Sequence, residues 1–194
     1  MIIGSAHRKA AYTIEALFTD RWSSRALSGE SVPEDELMKL LEAARWAPSS
    51  GNFQPWRMLY ARRESAHWPT FFDLLMEGNR VWAQRAGALV MFLSRTTDDQ
   101  GKPVVTHSYD TGAAWENFAL QGWLLGLVVH GIGGFDRERA RVVLQVPDQY
   151  HIEAMAVVGR PGDPALLPDH HRQREMPNPR RPLTELTCEG PFRL

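Results

Sequence analysis

Hydrophobic residues recur at helical spacing within residues 31–46, and this pattern predicts the first clear element of the chain. One face of the predicted helix carries Leu37, Leu40, Leu41 and Ala44. Ser31 followed by Glu34 forms a capping-box pattern, which predicts that the helix begins there, with Pro33 in its first turn. Pro48 predicts its end, because the residue before a proline disfavours helical backbone.

Continuous apolar runs predict the other elements. Three of them suit strands, namely residues 56–62, residues 88–94 and, followed by a turn, residues 153–163. Residues 110–129 are apolar around most of a helical circumference, which predicts a helix inside the protein or between two protomers. Asp136 predicts the cap of a short helix that ends near Pro147. Residues 165–194 are rich in Pro and Arg and lack periodicity, so they predict an extended tail.

The order of these elements indicates the fold class. Helices and strands alternate irregularly, without a series of βαβ units, and this favours a layered α+β fold over a doubly wound one. A length of 194 residues suits one sizeable domain. We therefore expect residues 1–194 to form a single domain with an extended C-terminal tail from about residue 165.

Composition adds mainly exclusions. The formal net charge is -1, so no global field attracts nucleic acid or an anionic membrane, and we expect neither as a partner. Cys188 is the only cysteine, which excludes an internal disulfide. No apolar stretch reaches the roughly 20 residues of a spanning helix, and the first residues lack the apolar run of a secretory signal. We expect a cytoplasmic protein.

A basic segment, residues 20–29, is the first candidate site. In an extended chain Arg21, Ser23 and Arg25 project to the same side, because successive side chains alternate. Two guanidiniums around one hydroxyl supply the forked donors that suit a phosphate. The alternative is a solvated basic edge without a ligand.

The loop after the first helix is the second candidate site. Ser49, Ser50, Asn52 and Gln54 place several donors and acceptors close together, directly before a predicted strand. Such a loop suits a planar polar ligand. The alternative is a local turn closed by Ser and Asn side chains.

A glycine cluster, residues 131–134, is the third candidate site. The dinucleotide fingerprint G-x-G-x-x-G fails there, because Asp136 stands in place of the third glycine and the preceding run is predicted to be helical. The glycines would still let a ligand approach the backbone closely. His130 beside them is a packed histidine or a functional one. The histidines show no metal-ligand spacing, so we expect no metal site.

Together these segments resemble the nitroreductase family of FMN-dependent oxidoreductases. The resemblance runs from about residue 21 to residue 192 and rests on "RWSSRAL", "LLEAARWAPSSGNFQPW", "GNRVWAQRAGALVMF", "GIGGFD", "VVGRPGD" and "PRRPL". It implies a three-layer sandwich with a central, mainly antiparallel sheet flanked by helices, and FMN sites at a homodimer interface.

The resemblance also implies roles for individual residues. Arg21 and Ser23 would contact the phosphate and ribityl chain, and Arg180 or Arg181 would also bind the phosphate. Arg25 and Asn79 would contact the pyrimidine end, and the glycine pair at 133–134 the region of flavin N5. Pro48 and the polar residues after it would line the flavin held mainly by the other subunit. The implied cofactor-binding residues are Arg21, Trp22, Ser23, Arg25, Pro48, Ser49, Ser50, Asn52, Gln54, Asn79, Ile132, Gly133, Gly134, Arg180 and Arg181.

The implied activity is a two-step reduction in which NADPH or NADH reduces FMN, and FMN then reduces a small acceptor such as a nitroaromatic or a quinone. No side chain is singled out as catalytic. Two alternatives stay open at this stage. One is a protein that binds or sequesters flavin with little turnover, and the other is a specialised branch that dehydrogenates or dehalogenates one metabolite.

Overall fold

A single antiparallel sheet organises the chain, for which a computed structural model describes residues 2–193. Its strands are β1 (Trp56–Arg62), β2 (Ala88–Arg95), β3 (Val128–Ile132) and β4 (Tyr150–Gly159), arranged in the order β1-β2-β4-β3. The α-helices of this part of the chain are α1 (Ala16–Asp20), α2 (Glu34–Arg45), α3 (Trp68–Phe72), α4 (Glu77–Ala83), α5 (His107–Leu124), α6 (Arg137–Val143) and α7 (Asp169–Arg172). Short 3-10 turns lie at Gly4–Ala6, Ser50–Asn52, Pro164–Leu166 and Leu183–Glu185.

The two faces of the sheet carry separate hydrophobic layers. Along β2, Val90 and Phe92 pack towards α2 and α5, where the ring of Phe118 meets that of Phe92 edge-on. Leu89 and Met91 point to the opposite face, where α3, α4 and α6 cover the sheet. Because strand side chains alternate, this fully buried strand serves both layers. The predicted α+β fold, with a central antiparallel sheet between helices, is confirmed.

Several predicted boundaries change in the structure. Strands 56–62 and 88–94 are confirmed to within a residue, and Asp136 caps α6 as predicted by accepting the Arg139 N–H. The predicted capping box is wrong, because α2 begins at Glu34 with Pro33 as its N-cap and no side-chain cap. Three acidic residues in the first turn favour the positive end of the helix instead. The third predicted strand also shifts, to Tyr150–Gly159.

The predicted helix over residues 110–129 is wrong at its C-terminal end. Helix α5 ends at Leu124, and Gly126 follows with φ of 71°. The Gly126 N–H donates to the Trp123 carbonyl and the Leu127 N–H to the Gly122 carbonyl, both at 2.9 Å, which is a Schellman termination. The chain then forms β3, so the element before the glycine cluster is a strand. An apolar run alone does not distinguish a buried helix from a buried strand, whereas Gly126 marks the break.

The tail is less extended than predicted. Residues 165–193 include the end of the 3-10 turn Pro164–Leu166, α7 and the 3-10 turn Leu183–Glu185, and the side chains from residue 178 onwards are exposed. No helix in residues 2–193 is long and apolar enough to cross a membrane.

Candidate functional site

The extended segment before α2 has two faces of different character. Arg21, Ser23 and Arg25 are partly exposed on one side, whereas Trp22 and Ser24 are buried on the other, as the alternation of extended side chains predicts. A bridge between Leu27 and Pro161 attaches the end of this segment to the chain that follows β4. The basic side chains therefore project from a fixed backbone.

These side chains line a cavity of about 190 Å³, which we call the arginine cavity. Its lining comprises Arg8, Arg21, Trp22, Ser23, Arg25, His130, Arg174, Met176, Asn178 and Arg180. Five guanidinium groups and no carboxylate are present in this lining. Such a site attracts an anion, and the forked donors of arginine match the oxygens of a phosphate or carboxylate.

Arg8 connects three separate segments at the arginine cavity. Its Nη1 donates to the Arg21 carbonyl at 2.7 Å and to the Thr19 carbonyl at 3.2 Å, and its Nε donates to the Asn178 carbonyl at 2.8 Å. Burial lowers the pKa of Arg8, and the neighbouring Arg180 and Arg21 lower it further. The like charges disfavour one another, so an anion bound among them would relieve that repulsion.

Arg21 is the most enclosed predicted phosphate contact. Burial lowers the pKa of its guanidinium, an effect that Glu116 opposes and Arg180 reinforces. Both arginines are exposed, but Arg180 lines the cavity from the tail and the adjacent Arg181 lies outside the lining. The structure thus distinguishes between two neighbouring arginines that sequence reasoning treated alike.

His130 closes the cavity from β3. Its Nδ1 lies 3.0 Å from the Ser24 carbonyl, which can only accept, so Nδ1 is assigned the proton. Its ring packs against Trp82 with centroids 4.7 Å apart. The pKa of His130 is lowered to about 4, mainly by burial and also by the charges of Arg25 and Arg21, while the hydrogen bond to Ser24 opposes the shift. The neutral side chain is therefore both packed and part of the site.

Asn79 and the glycine turn meet next to the cavity. The Asn79 Nδ2 donates to the Gly134 carbonyl at 3.0 Å. A Cβ at Gly134 would lie 2.7 Å from that nitrogen, whereas a Cβ at Gly133 would meet nothing within 4 Å. Arg25 approaches the same helix, with its guanidinium carbon 5.9 Å from the centroid of the Trp82 ring. The structure therefore places Arg25, Asn79 and the glycine pair in one region.

A second cavity, of about 280 Å³, lies between α5 and the end of β3. Its lining comprises Phe92, Ser108, Thr111, Gly112, Trp115, Gly131, Ile132, Gly133, Glu153 and Ala154. Gly131 is required there, because a Cβ would lie 2.9 Å from the Trp115 ring. Since successive strand side chains point to opposite faces, His130 faces the arginine cavity while Gly131 faces this one. Ile132 and Gly133 border the second cavity.

No residue of the loop 48–54 lines the arginine cavity of the same chain. The Ser50 N–H donates to the buried carboxylate of Asp110 at 3.2 Å, which attaches the loop to the start of α5. The Ser49 hydroxyl accepts a hydrogen bond from the Gln54 N–H at 3.0 Å, so a serine side chain closes this loop as the local-turn alternative predicts. Asn52 and Gln54 adopt φ of 55° and 52°. Positive φ at residues other than glycine costs of order 1–3 kcal/mol each and is concentrated at ligand sites.

The predicted site residues thus fall into three places. Arg21, Trp22, Ser23, Arg25 and Arg180 line the arginine cavity, and Arg181 lies outside it. Ile132 and Gly133 line the second cavity, next to Gly134, which contacts Asn79. The loop residues Pro48, Ser49, Ser50, Asn52 and Gln54 lie elsewhere on the same chain. Sequence reasoning missed Arg8, Arg174 and Asn178, because they come from the two ends of the chain and no spacing marks them.

The chain is similar to several known proteins. The family described as the nitroreductase family matches residues 18–90. A crystal structure described as an oxidoreductase containing FMN is 44% identical, covers 96% of both chains and superposes with a TM-score of 0.93. A nitroreductase family protein from Clostridium difficile 630 is 22% identical, with a TM-score of 0.70 over 91% of this chain and 97% of that one. A protein from Thermus thermophilus named NADH dehydrogenase is 28% identical over 74% of this chain and 84% of its own length.

The lowered pKa of His130 predicts a pH-dependent stability. The ordinary value is 6.5 and the folded value is about 4, so the unfolded chain takes up the proton first as the pH falls. The contribution of neutral His130 to the free energy of unfolding is therefore fully present above about pH 6.5. It is lost progressively as the pH falls to about 4. Between pH 7.5 and 5 we expect His130 to account for a loss of about 2 kcal/mol in the free energy of unfolding.

Urea unfolding at both pH values measures this loss. His130→Asn keeps a donor for the Ser24 carbonyl but does not titrate, so its stability should fall less on acidification than that of the parent protein. His67→Asn, at an exposed histidine, is the control and should fall as much as the parent. An equal loss in the parent protein and His130→Asn would assign the pH dependence to other groups.

Proposed function

The chain belongs to the nitroreductase family, and from this premise we propose that it is an FMN-dependent oxidoreductase that takes electrons from NAD(P)H. The observation that carries the proposal is the arginine cavity, next to the Asn79–Gly134 contact. A site for FMN needs positive charge at one end and groups that recognise a flat polar ring at the other. Both features are present in adjoining positions.

The arginine cavity fits the phosphate end of FMN. Arg21, Ser23 and Arg180 would donate to the phosphate oxygens, as the resemblance implied, and Arg8 and Arg174 add to the positive field. The burial and mutual repulsion that lower the pKa values of Arg8 and Arg21 would both be compensated by a phosphate dianion. Trp22 contributes a wall and donates its indole N–H to the Ile2 carbonyl at 2.8 Å.

The region around α4 fits the ring. Arg25 and the Asn79 amide would meet the pyrimidine end. The open backbone at Gly133, between Ile132 and Gly134, would allow close approach at the centre of the ring. Bound FMN supplies the hydride chemistry between NAD(P)H and an oxidised acceptor. Arg25 favours the negative charge that reduction adds near its guanidinium. We assign no catalytic side chain, because solvent can supply the protons.

We further propose that two chains of one domain each form a homodimer, located in the cytoplasm, where NAD(P)H is supplied. The loop of residues 48–54 would then line the flavin of the partner chain, which accounts for its absence from the lining of the arginine cavity of its own chain. The outer faces of α2 and α5 support this proposal. Trp46, directly after α2, and Tyr109 and Leu124 of α5 are exposed by 71%, 82% and 64%, and exposed apolar surface of this kind favours association.

The acceptor belongs to the same proposal. We propose a small oxidised molecule, such as a nitroaromatic or a quinone. The open glycine backbone beside the second cavity supports access for a flat molecule.

The function is tested by adding NADPH and then NADH to the purified protein under anaerobic conditions. We expect a yellow protein with about one non-covalent FMN per chain, as the resemblance implies, and prompt bleaching by at least one nucleotide. A nitroaromatic or a quinone should then restore the colour. A colourless protein that takes up no FMN would contradict the proposal. A yellow protein that neither nucleotide bleaches would favour flavin sequestration or a specialised branch.

Arg21 and Arg25 should have separable effects. Arg21→Ala removes charge-assisted hydrogen bonds to the phosphate and should weaken FMN binding by roughly 10- to 100-fold, with a near-normal midpoint potential in the flavin that remains. Arg25→Ala should lower the midpoint potential by roughly 20–40 mV, because it removes about 1–2 kcal/mol of electrostatic stabilisation of reduced flavin. It should also slow hydride transfer, while FMN binding weakens only moderately.

FMN dissociation constants and redox potentials of both variants measure these effects. Arg181→Ala is the matched control, since this exposed arginine lies outside the cavity lining, and it should change neither quantity. If Arg25→Ala loses FMN while its flavin keeps the parent potential, the two assignments are reversed. No change in either variant would indicate a solvated basic edge.

Light scattering of the FMN-saturated protein tests the dimer. We expect twice the mass of one chain, and Tyr109→Glu, which places a charge on the exposed face of α5, should shift the protein towards the monomer and weaken FMN binding. FMN binding should weaken together with the dimer, because the loop of residues 48–54 of the partner chain would leave the flavin site. A stable FMN-saturated monomer of the parent protein would refute the dimer.

A further inference from the structure

Glu175, in the tail, is buried against the segment that carries the basic side chains. Only 3% of its surface is exposed. Its Oε1 accepts three hydrogen bonds, from the Ser24 hydroxyl at 2.5 Å, the Arg25 N–H at 2.7 Å and the Ala26 N–H at 3.0 Å. One carboxylate oxygen therefore holds three successive residues of a chain segment that lies about 150 positions away in the sequence.

These contacts fix the back of the segment whose front lines the arginine cavity. The Ser24 side chain points away from the cavity towards Glu175, so Ser23 and Arg25 must point into it. The bond to the Arg25 N–H acts on the backbone of the arginine itself. Glu175 thereby determines the direction in which Arg25 projects without lining the cavity.

The same residue holds the tail in place. Arg174 and Met176, on either side of Glu175, both line the arginine cavity. The chain continues to Asn178 and Arg180, which also line it, and the Asn178 carbonyl accepts a hydrogen bond from Arg8. Release of Glu175 would therefore free the tail arginines as well as the segment of residues 24–26.

A stability role alone is a poor account of a carboxylate in this position. Burying a carboxylate costs desolvation, and Oε2 is buried without a hydrogen-bond partner among residues 2–193. Well-packed apolar side chains commonly replace buried charged groups without loss of stability. The three directed hydrogen bonds, which an apolar side chain would not form, are what the carboxylate provides.

We propose that Glu175 is a positioning residue of the phosphate site, which joins the tail to the basic segment and so gives the protein its preference for phosphorylated flavin. The inference rests on the proposed FMN site. It specifies that the preference for FMN over riboflavin depends on a residue that does not contact the ligand. FMN and riboflavin share the isoalloxazine ring and differ by the phosphate. The ratio of their dissociation constants therefore measures the contribution of the phosphate contacts.

The test compares dissociation constants of FMN and riboflavin for the full-length protein and its variants. Glu175→Ala should weaken FMN binding at least about tenfold more than riboflavin binding, because the phosphate donors lose their alignment. Riboflavin should be weakened only moderately, through the displacement of Arg25 at the ring. Glu175→Gln keeps an acceptor oxygen and should retain most of the preference. Ser24→Ala, which removes one of the three donors and little volume, should reduce the preference by about threefold. If Glu175→Ala fails to fold, the ratio of FMN to riboflavin dissociation constants in Ser24→Ala decides the question.

Asp110→Ala is the matched control. Asp110 is also 3% exposed and also accepts a backbone N–H, but it supports the loop of residues 48–54 and not the arginine cavity. Its loss should weaken FMN and riboflavin by the same factor. Unchanged preference in both Glu175→Ala and Ser24→Ala, or an equal weakening of the two flavins in Glu175→Ala, would overturn the inference while the proposed function stands. A parent protein that binds neither flavin would overturn both.

Discussion

The repulsion among five guanidinium groups around one small cavity is the constraint on which the rest of the site depends. Uncompensated like charges disperse unless backbone contacts hold them. Arg8 is held by three carbonyl oxygens, and Glu175 holds the opposite side of the same segment through two N–H groups and a hydroxyl. The folded chain therefore holds these positive charges together in a preorganised site that suits an anion.

The sheet connects this anion site to the region expected to meet the flavin ring. His130 and Gly131 are neighbours on β3 but point to opposite faces, so one strand borders both the arginine cavity and the second cavity. The turn after β3 then carries Gly134 to Asn79 on α4. Three layers of secondary structure thus position groups from distant parts of the chain around one end of the sheet.

Much of this could be predicted where the physical cause is local. Alternation in an extended segment was enough to place Arg21, Ser23 and Arg25 on one side, and Asp136 marked the start of α6. The resemblance to the family supplied the fold and brought Asn79 and the glycine pair into consideration. The helix that was predicted to run from residue 110 to 129 shows the limit of local patterns. A helix and a strand that are buried on all sides have the same continuous apolar sequence pattern. Here Gly126 ends the helix, and a strand follows.

The sequence by itself therefore determined which short segments carry the donors for an anion and a planar ring, because those properties depend on residue type and on spacing within a few positions. Only the tertiary structure decided that Arg180 and not Arg181 reaches the cavity, and that Arg8 and Glu175 hold it together. These residues come from opposite ends of the chain. Their proximity depends on the packing of the tail and the N-terminal segment against residues 19–26, which no local spacing encodes.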